Sequence, residues 1–232
     1  MATPSERLRI TTDLMSRAFE TPGRLLLESS RARELYPSYL AAGTCVALEM
    51  IPLMEAALER ARALASDDPV AAGLAAYLER HIPEEIHGDE PGGDSLEDLE
   101  VLGVDTAALR SRPLPPKIAA VIGMQYFWIH QCHPAAILGF LELEAYHPHA
   151  PAVEQLIATT GLPRDGFRQL LLHSELDVEH ADELHRVLDS LPLEPHHEQL
   201  IASSALQTMA LMIDVWLDVI SNGAPAASSD DG

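Results

Sequence analysis

Along most of the chain apolar residues recur every three or four positions, the period of a helix with one buried face, and no segment alternates as a strand would. The pattern predicts helices in "TPSERLRITTDLMSRAFE" (3–20), "SYLAAGTCVALEMIPLMEAALERARAL" (38–64, kinked at Pro52) and "DPVAAGLAAYLERHIPEEIHGDE" (68–90). Asp68 reads as the N-cap of the third, with Pro69 at its first position, where a missing N–H costs nothing. "PGGD" breaks the chain before a short acidic helix, "SLEDLEVLG". "LPPKIAAVIGMQYFWIHQC" and "PAAILGFLELEAY" follow, parted near His133-Pro134, then "APAVEQLIATTG", ended by Gly161. Two long helices, over 164–191 and 194–220, complete the set. The expected fold is all-α: a single bundle-like domain over 1–222, with "GAPAASSDDG" (223–232) as a disordered acidic tail.

The penultimate helix contains "HSELDVEH" (173–180). At about 100° per residue, Asp177 falls about 40° and His180 about 20° from His173, so the three share one narrow sector. Leu170, Leu184, Val187, Leu188 and Leu191 fall within about 60° of the same direction, while Arg168, Glu175, Glu179, Asp182 and Arg186 lie opposite. The His/Asp/His set therefore occupies the stripe that turns inward. Burying a carboxylate and two imidazoles without partners costs several kcal/mol. Two compensations are open: a divalent metal, since imidazole and carboxylate suit iron, manganese and zinc, or a hydrogen-bonded core network.

A metal needs ligands from other helices, and two stretches offer them. In "HIPEEIHGDE" (81–90), Glu84 and His87 are three apart and neighbours on a helical face; Glu85 and His81 are substitutes, because Pro83 disturbs the phase. In "HPAAILGFLELEAYHP" (133–148), Glu144 follows Phe140, Leu141 and Ile137, whereas Glu142 shares its side with Leu138, Gly139 and Ala135. The pattern predicts that one of the two acids is buried.

Charge narrows the partners. Acids outnumber bases 36 to 15, for a net charge of −21, so phosphate backbones and anionic lipid are repelled; neither nucleic acid nor membrane is an expected partner. Apolar residues make up 47% of the 232, an ordinary globular proportion. The N-terminus lacks an apolar core of signal-peptide length, and the longest uncharged apolar run, "IAAVIGMQYFWIHQC", falls short of a bilayer span. Cys45 and Cys132 have no metal-type spacing, and Cys132 reads as a small core residue. The expectation is a reduced, cytoplasmic, soluble protein.

With these residues in place, the chain resembles the heme-oxygenase-like di-iron oxidases and oxygenases, a helical family that binds no heme. The resemblance runs over roughly 70–190. It rests on His173, Asp177 and His180 as His-x3-Asp-x2-His, on Glu84 and His87 as Glu-x2-His ahead of "EDLEVLG", and on a "HPAA-x-LG" opening whose best-matched acid is Glu144. It implies a metal centre ligated by Glu84, His87, Glu144, His173, Asp177 and His180, two Fe(II) per chain, O2 as co-substrate, and oxidation of a small molecule. N-oxygenation of an amine or oxidative C–C cleavage of an amino acid are the chemistries it suggests. Where some members carry a further carboxylate before the Glu-x2-His pair, this chain has Tyr77 and Arg80, which leaves Glu85, His81 or Glu49 to complete the first site, and iron or manganese to fill it. Tyr126, Trp128, His130 and Gln131 are candidates to line the pocket.

Two rival readings remain: a metal-free enzyme on the same fold, thiaminase-II-like with a cysteine nucleophile or pyrroloquinoline-quinone-synthase-like, and a non-enzymatic binding protein with a structural metal. The last helix is apolar around much of its circumference, which fits either a packed terminal helix or a homodimer contact.

Overall fold

A computed structural model describes residues 2–85, 93–146 and 148–223; the side chains of 93–94, 144–145 and 175–180 lie outside that description, as does the predicted tail beyond Gly223. The described residues form twelve α-helices and no strand: α1 (Pro4–Phe19), α2 (Thr21–Glu28), α3 (Ala32–Ala47), α4 (Met50–Leu64), α5 (Pro69–Glu85), α6 (Gly93–Val101), α7 (Thr106–Ser111), α8 (Pro116–Gln131), α9 (Ala136–Leu141), α10 (Ala150–Thr160), α11 (Arg168–Ser190) and α12 (Pro195–Asn222). Two of them, α2 and α7, go beyond the sequence expectation.

Local chemistry sets the boundaries. Thr3 caps α1 in a reciprocal box with Glu6, and Asp68 caps α5 by accepting from Val70 N–H (2.8 Å) and Ala71 N–H (3.0 Å). The predicted kink at Pro52 becomes a break at Leu48–Glu49 between α3 and α4. Proline has no N–H to return to the carbonyl four residues earlier, that of Leu48, so the ladder parts there. Gly161 ends α10 with φ +59°, a backbone that an L side chain rarely adopts.

The central element is α12, packed against α1, α2, α3, α8 and α9. Gly139 lets α9 cross it: a Cβ there would lie 2.1 Å from the Ile201 carbonyl oxygen. Buried Gln125 of α8 donates to Thr208 Oγ1 (2.8 Å) and accepts from Ser204 Oγ (3.0 Å), so this buried polar seam between α8 and α12 is hydrogen-bonded. Two stretches, Ala32–Leu64 and Pro195–Asn222, are long and apolar enough by length and composition to cross a membrane; core helices pass the same test, and α12 is one.

Helix α11 is held at its start by α6. Phe167 caps it with no side-chain hydrogen bond; instead the fully buried Asp98 accepts from Gln169 N–H (2.9 Å) and Arg168 Nε (3.3 Å). Burial pushes the Asp98 carboxyl above its usual range, against the pull of those donors. Leu102 presses on Gly166, where a Cβ would come within 2.7 Å, and Tyr36 stacks on Phe167 at 4.3 Å. The acidic "EDLEVLG" segment is thus the clamp that fixes where α11 begins.

Candidate metal centre

Backbone hydrogen bonding continues through all of α11, so positions 173, 177 and 180 keep the sector predicted for them. Leu184, Leu188 and Leu191, which share that sector, are 3%, 1% and 7% exposed, while Arg168, Asp182 and Arg186 on the other side are exposed. The face is an inward one. His173 is half-buried; the side chains of Asp177 and His180 lie outside the described residues.

The flanks of this sector meet two other elements. About 80° to one side sits Glu183, ion-paired with Arg80 of α5. Arg80 holds the Glu183 carboxyl below its usual range, and Glu183 raises the guanidinium in turn. A ring nitrogen of His81 and carboxylate oxygens of Glu84 and Glu183 all lie within 4.8 Å of one another. About 120° to the other side, His185 Nε2 lies 3.2 and 3.4 Å from the two carboxylate oxygens of Glu142, just past α9. The stripe carrying 173, 177 and 180 therefore lies between the contact with α5 and the contact with Glu142.

Within this frame the individual expectations fare differently. Glu84 is half-exposed (50% for the side chain), whereas its neighbours His81 and Glu85 are buried, with His81 Nε2 3.2 Å from Glu85 Oε1. His87 lies outside the described residues. Glu142 is the buried acid of the middle segment, 1% exposed; the side chain of Glu144 lies outside the description. One buried acid is what the pattern predicts; the chain tightens into a 3-10 helix at Glu142–Tyr146, which advances about 120° per residue, so the α-helical wheel cannot be carried on to Glu144. Glu49 sits at the α3–α4 break; burial raises the Cys45 thiol and the Tyr126 hydroxyl above their usual ranges, and the nearby Glu49 adds to both shifts.

Two expectations need correction, that Cys132 lies in the core and that Tyr126, Trp128, His130 and Gln131 line the pocket. Cys132 is exposed, at the C-cap of α8, rather than a core residue. Tyr126 stacks along its own helix on His130 at 6.2 Å, beside Glu49 and Glu55. His130 and Gln131 are exposed, and Trp128 lines a surface cleft with Cys132, His133 and His196, away from the flanks of α11. Glu183 and His185 were missed by sequence reasoning. Their only signal is the continuation "EHADELH", in which both fall at the edges of the inward stripe.

A second His–carboxylate group, Asp68, His133 and His197, also brings its donor atoms within 4.8 Å. Its hydrogen bonds decide its chemistry. His133 Nδ1 accepts from Ala135 N–H (3.1 Å), and His197 Nδ1 accepts from Glu194 N–H (3.2 Å). A neutral imidazole that accepts at Nδ1 carries its proton on Nε2, and His133 Nε2 accordingly donates to Asp68 Oδ2 at 2.9 Å. A metal-bound imidazole has the reverse order, a lone pair toward the ion and an N–H behind it. Asp68 also caps α5, so this group ties the starts of α5, α9 and α12 together as a hydrogen-bonded clip. Its residues do not fit a metal.

The residues around α11 do fit one. Carboxylates and imidazoles with no thiolate suit iron or manganese, and both flanking carboxylate–imidazole pairs come from different elements of the fold.

Comparison with known proteins bears on what such a site belongs to. A domain of unknown function with a heme oxygenase-like fold from Shewanella denitrificans superposes with a TM-score of 0.76 at 18% identity, covering 92% of this chain and 90% of its own. A CADD-like protein of unknown function from Nostoc punctiforme gives 0.64 at 18% identity, covering 93% and 98%. A TenA homolog from Pseudomonas syringae pv. tomato gives 0.61 at 13% identity, covering 93% and 91%. At these identities the likeness establishes the fold: all-α and heme-oxygenase-like. No curated protein matches the sequence. A family described as iron-containing redox enzyme matches residues 93–212, just over half of the chain, including Glu142, Glu144 and all of α11 but not Glu84 or His87. By that match, the chain belongs to the iron-containing redox enzyme family.

Proposed function

We propose that the protein is a non-heme di-iron oxidase or oxygenase that uses O2 to oxidise a small organic molecule, an amino acid or amine by preference. The ligands are Glu84, His87, Glu144, His173, Asp177 and His180. The observation that carries this reading is the inward face of α11, flanked by carboxylate–imidazole pairs on both sides. When bound, iron supplies the electrons and open coordination positions that let O2 react with an otherwise inert substrate. The chain's own part is to hold and to exclude. Asp98 sets the start of α11, and Leu184 and Leu188 close its inner face against water. The pair of buried Glu142 and half-buried His185 keeps the middle segment against α11. The acidic surface disfavours nucleic acid and anionic lipid as partners, and we place the protein in the cytoplasm.

The cysteine-hydrolase alternative draws on the exposure of Cys132. Its neighbour His133 is committed on both nitrogens, one to Ala135 N–H and one to Asp68, and so is not placed to act as its base.

The test is anaerobic loading with Fe(II) followed by metal analysis. Wild-type protein should retain about two ions per chain, and Asp177→Ala and His180→Ala close to none, since losing one ligand of a six-ligand pair removes tight binding. Oxygen consumption should then be screened across amino acids and amines. Equal iron retention by wild type and Asp177→Ala would sink the proposal.

A further inference from the structure

We infer that the protein self-associates through the face formed by α8 and α12, as a two-fold dimer in which α8 packs antiparallel to its own copy about Gly123. The inference is independent of the proposed metal centre, which is built on α11.

Within the chain the two helices run antiparallel. Lys117 at the start of α8 pairs with Asp214 (3.0 Å) and Asp218 (3.2 Å) of α12, while Gln125 reaches Ser204 and Thr208. Beyond those ion pairs the charge stops. Residues 118–132 contain no Asp, Glu, Lys or Arg, and neither do residues 199–213. In a chain that is 22% charged, two adjoining surface runs of this kind leave one face neutral. Much of that face meets water. Ala119, Ala120, Gly123 and Phe127 of α8 are exposed, Phe127 at 58%, as are Gln207 and Ala210 of α12. Ile10 and Leu14 of α1 are exposed too, but exposed Arg9, Asp13 and Arg17 stand among them.

Gly123 points to the kind of partner. Glycine in the middle of a helix is destabilising relative to alanine, and a Cβ at 123 would meet no atom within 4 Å. At Gly139 and Gly73, by contrast, a Cβ would run into the Ile201 carbonyl oxygen or the Leu191 side chain. Packing within the described residues gives no reason for glycine at 123; the close approach of a second helix gives one. Ala119, Ala120, Gly123 and Phe127 share a sector of about 100° on the helical wheel. An antiparallel copy with its two-fold axis at Gly123 sets Phe127 opposite the partner's Ala119. Each exposed ring then seats on the small side chains of Ala119 and Ala120 in the other copy, and the contact is made twice, as an isologous interface demands.

Charge favours the same occupant. A partner of opposite charge would be drawn to the acidic surface elsewhere rather than to a face that carries none. Two copies, each at −21, repel wherever their acids meet and least where neither brings any. A face about 22 Å long and two helices (about 20 Å) wide covers about 400 Å² in plan. That is below the about 800 Å² per partner of a standard interface, so the dimer should dissociate on dilution through the micromolar range.

The experiment is sedimentation equilibrium of the full chain from about 1 to about 100 µM. Wild type should move from a 25.3 kDa monomer toward twice that mass as concentration rises. Phe127→Glu, which sets a carboxylate against alanine, should weaken association at least about tenfold, while Leu14→Glu on α1 should leave it unchanged. In a Cys132→Ser background, Gly123→Cys should give a disulfide-linked dimer when diamide is added as oxidant, because position 123 meets its copy at the axis. Cys132 of the wild type, about 13 Å along the helix from that axis, should not link. A monomer at every concentration would overturn the inference, as would a dimer indifferent to Phe127→Glu or lost with Leu14→Glu. A dimer that Phe127→Glu dissolves but Gly123→Cys fails to link would overturn the antiparallel arrangement. A monomer that binds phosphatidylcholine vesicles through Phe127 would assign the face to a membrane surface and overturn the dimer.

Discussion

Two groups of identical composition type, imidazole with carboxylate, stand at the two ends of α5. At the N-terminal end are Asp68, His133 and His197; about 20 Å along the helix are His81, Glu84 and Glu85, with Glu183 from α11. Both bring three donor atoms within 4.8 Å, and distance alone would grade them equal. They differ in what lies behind the rings. At the first corner each Nδ1 faces a backbone N–H, which locks the ring proton onto Nε2, and His133 turns that nitrogen to the Asp68 carboxylate. At the second, His81 lies between two carboxylates of its own helix, its Nε2 3.2 Å from the buried Glu85 and its Nδ1 3.8 Å from Glu84, rather than against backbone N–H groups. The helix dipole adds to the contrast, because the N-terminus of α5 favours the Asp68 carboxylate and opposes a metal ion. A metal site is thus defined by the tautomer its surroundings impose as much as by its residue types.

This contrast can be broken most sharply at Asp68. Asp68→Ala removes two cap hydrogen bonds and the partner of His133, and should lower stability by about 2–3 kcal/mol in urea unfolding. The count of bound metal should stay at the wild-type value. A fall in metal content with stability intact would make the corner a metal site after all.

Acid should act on the same corner, more gently. Burial holds the His197 imidazole below its ordinary value, helped by His133 and His196, so the folded chain keeps this ring neutral where the unfolded chain takes a proton. Its contribution to stability is present above about pH 6.5 and is lost as the pH falls below that toward the depressed folded value. The melting temperature should therefore drop between pH 7 and pH 5, and His197→Gln should flatten that part of the profile. A profile unchanged by the substitution would show that His197 is not the group responsible.

The smallest effect belongs to the other end of α5. Glu183→Gln breaks a pair whose arginine is largely in water, so stability should change by no more than about 0.5 kcal/mol, measured by thermal unfolding. An outcome of several kcal/mol would mean that the pair is structural, like Asp68, and the contrast between the two ends would narrow.

How far the sequence alone reaches can be followed residue by residue. The inward stripe of α11 was legible, because a straight helix carries its phase unchanged from Leu170 to Leu191, and Leu184, Leu188 and Leu191 are buried where the wheel puts them. Asp68 as a cap and Gly161 as a stop were legible for a similar reason, since each acts on backbone groups within three or four residues. Phase could not be carried across Pro83 or into the 3-10 turn at Glu142. There the burial of His81, Glu85 and Glu142 emerged only from packing.

The sequence by itself therefore determined the helical class, the caps and the direction of the longest amphipathic face, all products of spacing within single segments. Tertiary structure alone decided that Asp98 would clamp α11, that Arg80 would meet Glu183, and that His133 would turn its protonated nitrogen to Asp68. Those contacts join residues 70, 103 and 65 positions apart. Local periodicity has no term for such distances, because the angle and register at which two helices meet depend on every side chain packed between them.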